Sequence, residues 1–239
     1  MILFENTEVL GWEHAIRGMR NPMNSWNKSD TFYDWPDHPD VLKIGPNDKE
    51  LMMKLAKAGP VHGKYRRMMV VYVDITAPLY WWKEFDTYKV GTVANSCSTM
   101  HKIHEKEFTL EDFSCEHLLN SDDLRMDNFE SMLYEDAKEI ERTRIYLSSP
   151  IDDLKDTISK LNLCRRLYLD ESIKGDKKIY WWQMIQLLPS SYNQKRTVML
   201  NYEVLSNIYH YRKDHKLDEW RDLCKWIESL PYSEIITLN

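Results

Sequence analysis

The chain has 239 residues, 43% of them hydrophobic and 29% charged, with a net charge of −6. That length buries most of its apolar surface within one ordinary domain, residues 1–239, and the composition excludes an intrinsically disordered chain. The negative balance excludes a general electrostatic attraction to nucleic acid, so no polymer of that kind is expected as a partner. Only seven glycines are present, with no G-x-G-x-x-G or G-x-x-x-x-G-K motif, which argues against a glycine-rich phosphate loop. Cys97, Cys115, Cys164 and Cys224 form no C-x-x-C pair, so no zinc site is expected. Met1 to Glu5 lacks the basic and apolar regions of a signal peptide, and every apolar run is far short of a membrane span. A reduced, cytoplasmic setting without membrane contact follows as the expectation.

Taken in chain order, Asn21 to Asn47 is rich in Asn, Asp, Pro and Trp and reads as a long irregular insertion. Asp48 is placed to cap a helix to about Ala58, with Leu51, Met52 and Leu55 on one face and Gly59-Pro60 ending it. Met68 to Ile75 is the clearest strand. Pro78 suits the first position of a helix through about Tyr88, where its missing N–H is no loss. Thr109-Leu110-Glu111-Asp112 resembles a capping box opening a helix to Leu119. Asp127 to Leu147 reads as a long charged amphipathic helix, and Ser149-Pro150 caps another to about Leu169. Lys178 to Leu188 is an aromatic-rich helix stopped by Pro189, and the last helix spans Asp218 to Leu230. Two triplets, Tyr80-Trp81-Trp82 and Tyr180-Trp181-Trp182, suit a ring-stacking pocket but read first as core or interface.

The last quarter carries the most information. A Leu187-Leu188-Pro189 turn precedes an extended segment, Arg196 to Leu200, and then a helix with Asn201, Asn207 and Arg212. Counted from Pro189, these three lie twelve, eighteen and twenty-three residues on. Six residues separate the two asparagines, so they do not share a helix face, and Asn201 is expected to cap the helix start. Upstream, His62 precedes Ala77-Pro78 by fifteen residues. These intervals resemble those of the flavin-dependent thymidylate synthases, over roughly Glu50 to Asn95 and Gln183 to Trp220. In that family the matching arginine contacts the uracil ring, and the matching histidine lies against the flavin.

The family's main motif, R-H-R-x-x-S-x-N-E-x-S-x-R-Y, is eroded here. Along Tyr88 to His101 only Asn95 and Ser98 match without a gap, and Lys89 can stand in for a basic position. The phosphate-gripping arginine has become Met100, and a second, four residues before the proline, has become Ile185. A thioether cannot replace a charged bidentate donor, a loss of about 2–3 kcal/mol per contact. The arginine two residues past the first asparagine is Glu203, whose carboxylate would repel flavin phosphates. Cys97 has no neighbouring base to lower its pKa, so a nucleophilic thiol is not expected.

The resemblance implies an α+β fold, with a small, twisted, mostly antiparallel sheet flanked by long helices. It implies flavin adenine dinucleotide (FAD) as cofactor, methylenetetrahydrofolate and NADPH as co-substrates, and a homotetramer acting on a pyrimidine deoxynucleotide. Arg212 would be catalytic. His62, Lys89, Asn95, Asn201 and Asn207 would contact the flavin. Ser96, Cys97, Ser98 and Thr99 would hold the nucleotide, with Glu84 near its base or sugar. Two alternatives stay open: a divergent pyrimidine nucleotide hydroxymethylase of the same fold, and a degenerate member that binds a nucleotide or protein.

Overall fold

A computed structural model describes residues 2–34, 38–120 and 149–238, so the helix predicted over Asp127 to Leu147 lies outside the described residues. The chain divides into two compact units. A sheet unit comprises Ile2–Ala77, Trp81–Ser96 and Lys195–Asn239, and a helical unit comprises Pro78–Tyr80 and Cys97–Gln194.

In the sheet unit, β1 (Leu3–Leu10), β4 (Val70–Pro78), β5 (Val93–Ser96) and β6 (Asn193–Asn201) form one sheet in the order β1-β4-β6-β5. β1 runs antiparallel to β4, from Leu3 opposite Thr76 to Leu10 opposite Val70. β5 runs antiparallel to β6, from Val93 opposite Met199 to Ser96 opposite Arg196. The alternation expected of a half-buried strand is plain in β4, where Val71, Val73, Ile75 and Ala77 are buried. On β4, Asp74 accepts bonds from Thr197 Oγ1 at 2.6 Å and Asn6 Nδ2 at 2.9 Å. The strand predicted from Met68 is therefore present, running two residues later at its start and three at its end.

β1 and the helix after it, α1 (Trp12–Arg20), went unrecognised in the sequence. β1 exposes residues on both faces, so it carries no alternating pattern. Between them Gly11 adopts φ +89°, and a Cβ there would sit 2.1 Å from the Met68 carbonyl oxygen. Only glycine fits that approach.

The segment expected to be irregular holds a short ribbon, β2 (Phe32–Asp34) paired antiparallel with β3 (His38–Lys43). Asp48 does not cap the next helix, as had been expected. α2 (Pro46–Lys57) starts two residues earlier with Pro46 in its first turn. Asp30 does the capping instead, accepting from the N–H groups of Asn47 (2.9 Å) and Asp48 (3.1 Å). Its carboxyl packs so closely that a Cβ on Gly45 would lie 2.2 Å away. The Asp48 side chain is fully buried and gathers the insertion around itself. It accepts from Arg20 Nε (2.6 Å), Ser29 Oγ (2.7 Å), Thr31 Oγ1 (2.7 Å) and the N–H groups of Asp30 and Thr31 (both 3.1 Å). One buried carboxylate thus ties Arg20 and the stretch Ser29 to Thr31 to α2.

β4 continues through Pro78, so α3 (Leu79–Phe85) begins after the proline and ends before Tyr88. Trp81 and Trp82 are buried, which bears out the structural reading of the first triplet. Trp81 meets Trp82 and Trp220 with ring centroids 4.9 Å apart and Phe85 at 5.0 Å.

The helical unit is built on α4 (Pro150–Leu169) and α5 (Lys178–Leu187). Ser149 caps α4 as expected, accepting from the Asp152 N–H at 3.3 Å. Phe108, Phe113, Leu154, Ile158, Leu161 and Met184 form its core. The capping box at Thr109 is formed, but it opens a single 3₁₀ turn, Leu110–Asp112, and not a helix to Leu119. Phe113 then turns extended and bridges to Tyr192, which stops the helix.

After β6 the sheet unit closes with α6 (Tyr202–Arg212), α7 (Asp218–Glu228) and α8 (Glu234–Thr237). α6 and α7 match the predicted C-terminal helices, although α7 ends at Glu228 rather than Leu230.

Candidate active site

Asn201 ends β6 and starts α6. Its Oδ1 accepts the Val204 N–H at 3.1 Å, as an N-cap should. This fixes where α6 begins and so where Arg212, in its last turn, emerges. Replacing Asn201 with alanine should cost about 1 kcal/mol in urea unfolding, whereas serine should restore most of it. A larger loss, or no rescue by serine, would contradict a capping role.

Arg212 sits in an aromatic and acidic clamp. Its Nη1 donates to Glu84 Oε2 at 2.8 Å and its Nε to the Tyr88 hydroxyl at 3.0 Å. The guanidinium carbon lies 4.4 Å from the Trp220 ring centre and 5.8 Å from that of Tyr88. Trp220 Nε1 donates to the same Glu84 oxygen at 3.0 Å, and His215 Nε2 stands 3.7 Å from it. Glu84 comes from α3, Arg212 from α6 and Trp220 from α7, so three helices fix one guanidinium. The Arg212 side chain keeps 20% of its exposure, and Glu84 keeps 38%. A cation held by two directed bonds and an indole face is preorganised, and its planar fork still presents further N–H groups.

No family model matches the sequence, and no curated protein matches it. Solved structures do match along nearly the whole length. A flavin-dependent thymidylate synthase, ThyX, from Helicobacter pylori, solved with FAD and dUMP, is 16% identical. It superposes with a TM-score of 0.59, covering 99% of this chain and 97% of its own. The UMP/dUMP methylase PolB from Streptomyces cacaoi, bound with 5-Br dUMP, is 15% identical with a TM-score of 0.54, covering 99% and 95%. The chain has the fold of the flavin-dependent thymidylate synthases. At these identities the likeness establishes the fold, and it agrees with the α+β architecture expected from the signature spacing.

Within this thymidylate synthase fold, the sheet unit brings several of the predicted residues onto defined elements. His62 is exposed in the turn before a 3₁₀ segment, Gly63–Met68. Lys89 is exposed, and Asn95 and Ser96 are exposed on β5 opposite Thr197 and Arg196. Asn207 is exposed on α6. Glu84 is already bonded to Arg212 and Trp220, so the geometry gives it the work of orienting the arginine.

Cys97, Ser98 and Thr99 belong to the helical unit. There the Cys97 carbonyl accepts from Gln194 Nε2 at 2.9 Å, and Ser98 Oγ accepts the His101 N–H at 3.0 Å. Cys97 is a free, exposed thiol. Met100 is half exposed, while Ile185 packs against the apolar core of the helical unit.

Glu203, expected to repel a flavin, has a partner within the fold. Its carboxylate is buried and lies 2.7 Å from Arg66 Nη2, so its charge is answered inside the protein. Arg66 also donates to Ser206 Oγ at 3.2 Å and to the Ile235 carbonyl at 3.0 Å, tying α8 down. Glu203 is thus buried beside a cation of its own chain and is not presented at the surface.

Tyr88, His215 and Trp220 were not singled out in the sequence as site residues. Tyr88 fell on an eroded motif position, and Trp220 lies on a separate helix beyond Arg212. Only packing of α3, α6 and α7 brings these rings together. Among the described residues there is no cluster of three or more potential metal ligands, and no helix is long and apolar enough to cross a membrane.

Proposed function

We propose that this chain is a flavin-dependent enzyme transferring a one-carbon unit from methylenetetrahydrofolate to a pyrimidine deoxynucleotide. Its default form makes thymidylate from deoxyuridylate, with NADPH as electron source and a homotetramer as the working assembly. The observation that supports this reading is the clamp of Glu84, Tyr88 and Trp220 around Arg212, the residue whose spacing resembles that of the family's catalytic arginine. A fixed guanidinium aimed at a uracil oxygen would stabilise the negative charge that develops as hydride reaches the ring.

The donors of the sheet unit suit a flavin. His62, Lys89, Asn95 and Asn207 are exposed and offer an imidazole, an ammonium and two amides to ring carbonyls and phosphates. Asn201 would contribute by placing α6, and Ser96, Cys97, Ser98 and Thr99 would hold the nucleotide. When bound, FAD supplies the reducing equivalents that turn a transferred methylene into a methyl group.

The visible absorption of the purified protein, recorded before and after FAD loading and desalting, tests this reading. Retained flavin bands followed by thymidylate formation are expected. A colourless protein that cannot be loaded would sink the catalytic reading and leave a binding role for the fold.

One observation favours a second reading, a pyrimidine nucleotide hydroxymethylase on the same fold. Ile185 is held in the apolar core and Met100 is a thioether, so both expected phosphate positions are altered. Product mass separates the two, since a methyl and a hydroxymethyl group differ by one oxygen.

A further inference from the structure

In the sheet unit, α1, the stretch Trp26 to Tyr33 and Leu42 of β3 line an open groove of about 340 Å³. We propose that it binds a free aromatic amino acid, with the carboxylate on Arg17, the ammonium on Glu13 and the ring among Trp26, Phe32 and Tyr33. The inference rests on this groove alone and does not depend on the proposed reaction.

The lining is apolar because its polar side chains are engaged elsewhere. Arg20 Nε donates to the buried Asp48 at 2.6 Å, and the Ser29 and Thr31 hydroxyls donate to it at 2.7 Å. Arg20 Nη1 turns to the Ser25 carbonyl at 3.3 Å. What the groove presents is therefore mainly aromatic. Trp26, Phe32 and Tyr33 each leave a large part of their surface in solvent, over the buried Ile16. Exposed rings gathered in one place mark a binding surface more than a core. The indole is already fixed, since Trp26 Nε1 donates to Asn21 Oδ1 at 2.8 Å. A preorganised ring loses little entropy when another stacks on it.

Glu13 and Arg17 are the other charged groups of the lining. They lie one turn apart on α1, a spacing that sets side chains next to each other on one face. Both are exposed, and neither has an ion-pair partner among the described residues. An α-amino acid carries its ammonium and carboxylate on one carbon, which answers a carboxylate and a guanidinium standing side by side. The planar fork of Arg17 can grip the ligand carboxylate with two parallel bonds. An aryl acid would leave Glu13 unanswered, and an aryl amine would leave Arg17 unanswered. The volume is at the small end for ligand clefts, which suits a single amino acid.

Isothermal titration of the full chain with L-phenylalanine, without flavin or nucleotide, tests this. Saturable binding is expected. Phenylpropionate lacks the ammonium, phenethylamine the carboxylate and alanine the ring. Each should bind at least about tenfold more weakly, the scale of losing one charge-assisted contact or one buried ring. Arg17→Gln should weaken phenylalanine by a similar factor. Glu13→Gln should do the same while leaving phenylpropionate unchanged, a selectivity that a general loss of folding could not give. Trp26→Leu should weaken both ring ligands with an unchanged circular dichroism spectrum. Arg212→Ala should leave the affinity unaltered, which separates this site from the proposed chemistry. No saturation at millimolar phenylalanine would overturn the proposal. So would phenylpropionate binding as tightly as phenylalanine, or binding that survives Arg17→Gln.

Discussion

Arg212→Ala is expected to lower kcat/KM for the proposed transfer by about a hundred- to a thousandfold, the scale for losing one preorganised electrostatic donor. The same change should barely alter stability. The Arg212–Glu84 pair is partly exposed, and pairs of that kind contribute about 0–1 kcal/mol. A large fall in activity with a normal unfolding curve would therefore locate the arginine's role in chemistry. Glu84→Gln sharpens the test. Glutamine keeps the shape but removes the charge that draws in Arg212, Trp220 and His215. Its effect should fall mainly on kcat, with flavin loading unchanged. An unaltered kcat in both variants would remove Arg212 from the mechanism.

Asp48→Asn is expected to be the most destabilising single polar substitution in the sheet unit, costing about 3–5 kcal/mol. Asparagine would leave the buried Arg20 guanidinium without its counter-ion and turn an NH₂ toward groups that now donate to Asp48. For a chain of this size the melting temperature should drop by about 6–20 °C. Adding Arg20→Met should recover part of the loss, because the orphaned charge is then removed. A shift no larger than that of an exposed aspartate variant would contradict the role assigned to Asp48.

The pH dependence has a defined sign. Burial raises the Asp48 pKa, but bonds from Ser29, Thr31, Arg20 and the Asp30 N–H outweigh it and hold the carboxyl below its ordinary value of 3.8. A depressed folded value means the contribution is complete above the unfolded pKa and is lost as pH falls through the folded one. Acid unfolding of the native chain should therefore contain a component below pH 3.8 that Asp48→Asn abolishes.

Local rules already marked several elements in the sequence. Ser149-Pro150 and Asn201 state helix starts through their own side chains, and the alternation of β4 states a strand facing a core. The run from Pro189 to Arg212 carried its order in simple intervals, because a strand and a helix have fixed rises per residue. These determinants are short-range, so they can be read along the chain.

What the sequence alone could not decide was pairing. Asp48 looked like a helix cap because its position before an apolar run is the usual cap position. Its real partners, Arg20 and Ser29, are distant in sequence, and burial made their bonds worth more than a cap. In the sequence Glu203 reads only as a charge that would repel flavin phosphates, and its buried pairing with Arg66 is not legible from local spacing. Arg212 was legible as a residue, but its clamp was not. The bond to Glu84 and the ring of Trp220 come from helices far apart along the chain, and nothing in local spacing encodes how α3, α6 and α7 cross. The sequence by itself determined the elements whose start or alternation is written locally, such as β4, α4 and α6, and which arginine to suspect. Tertiary structure decided which charges are answered inside the protein, because that choice depends on burial and contact across the fold.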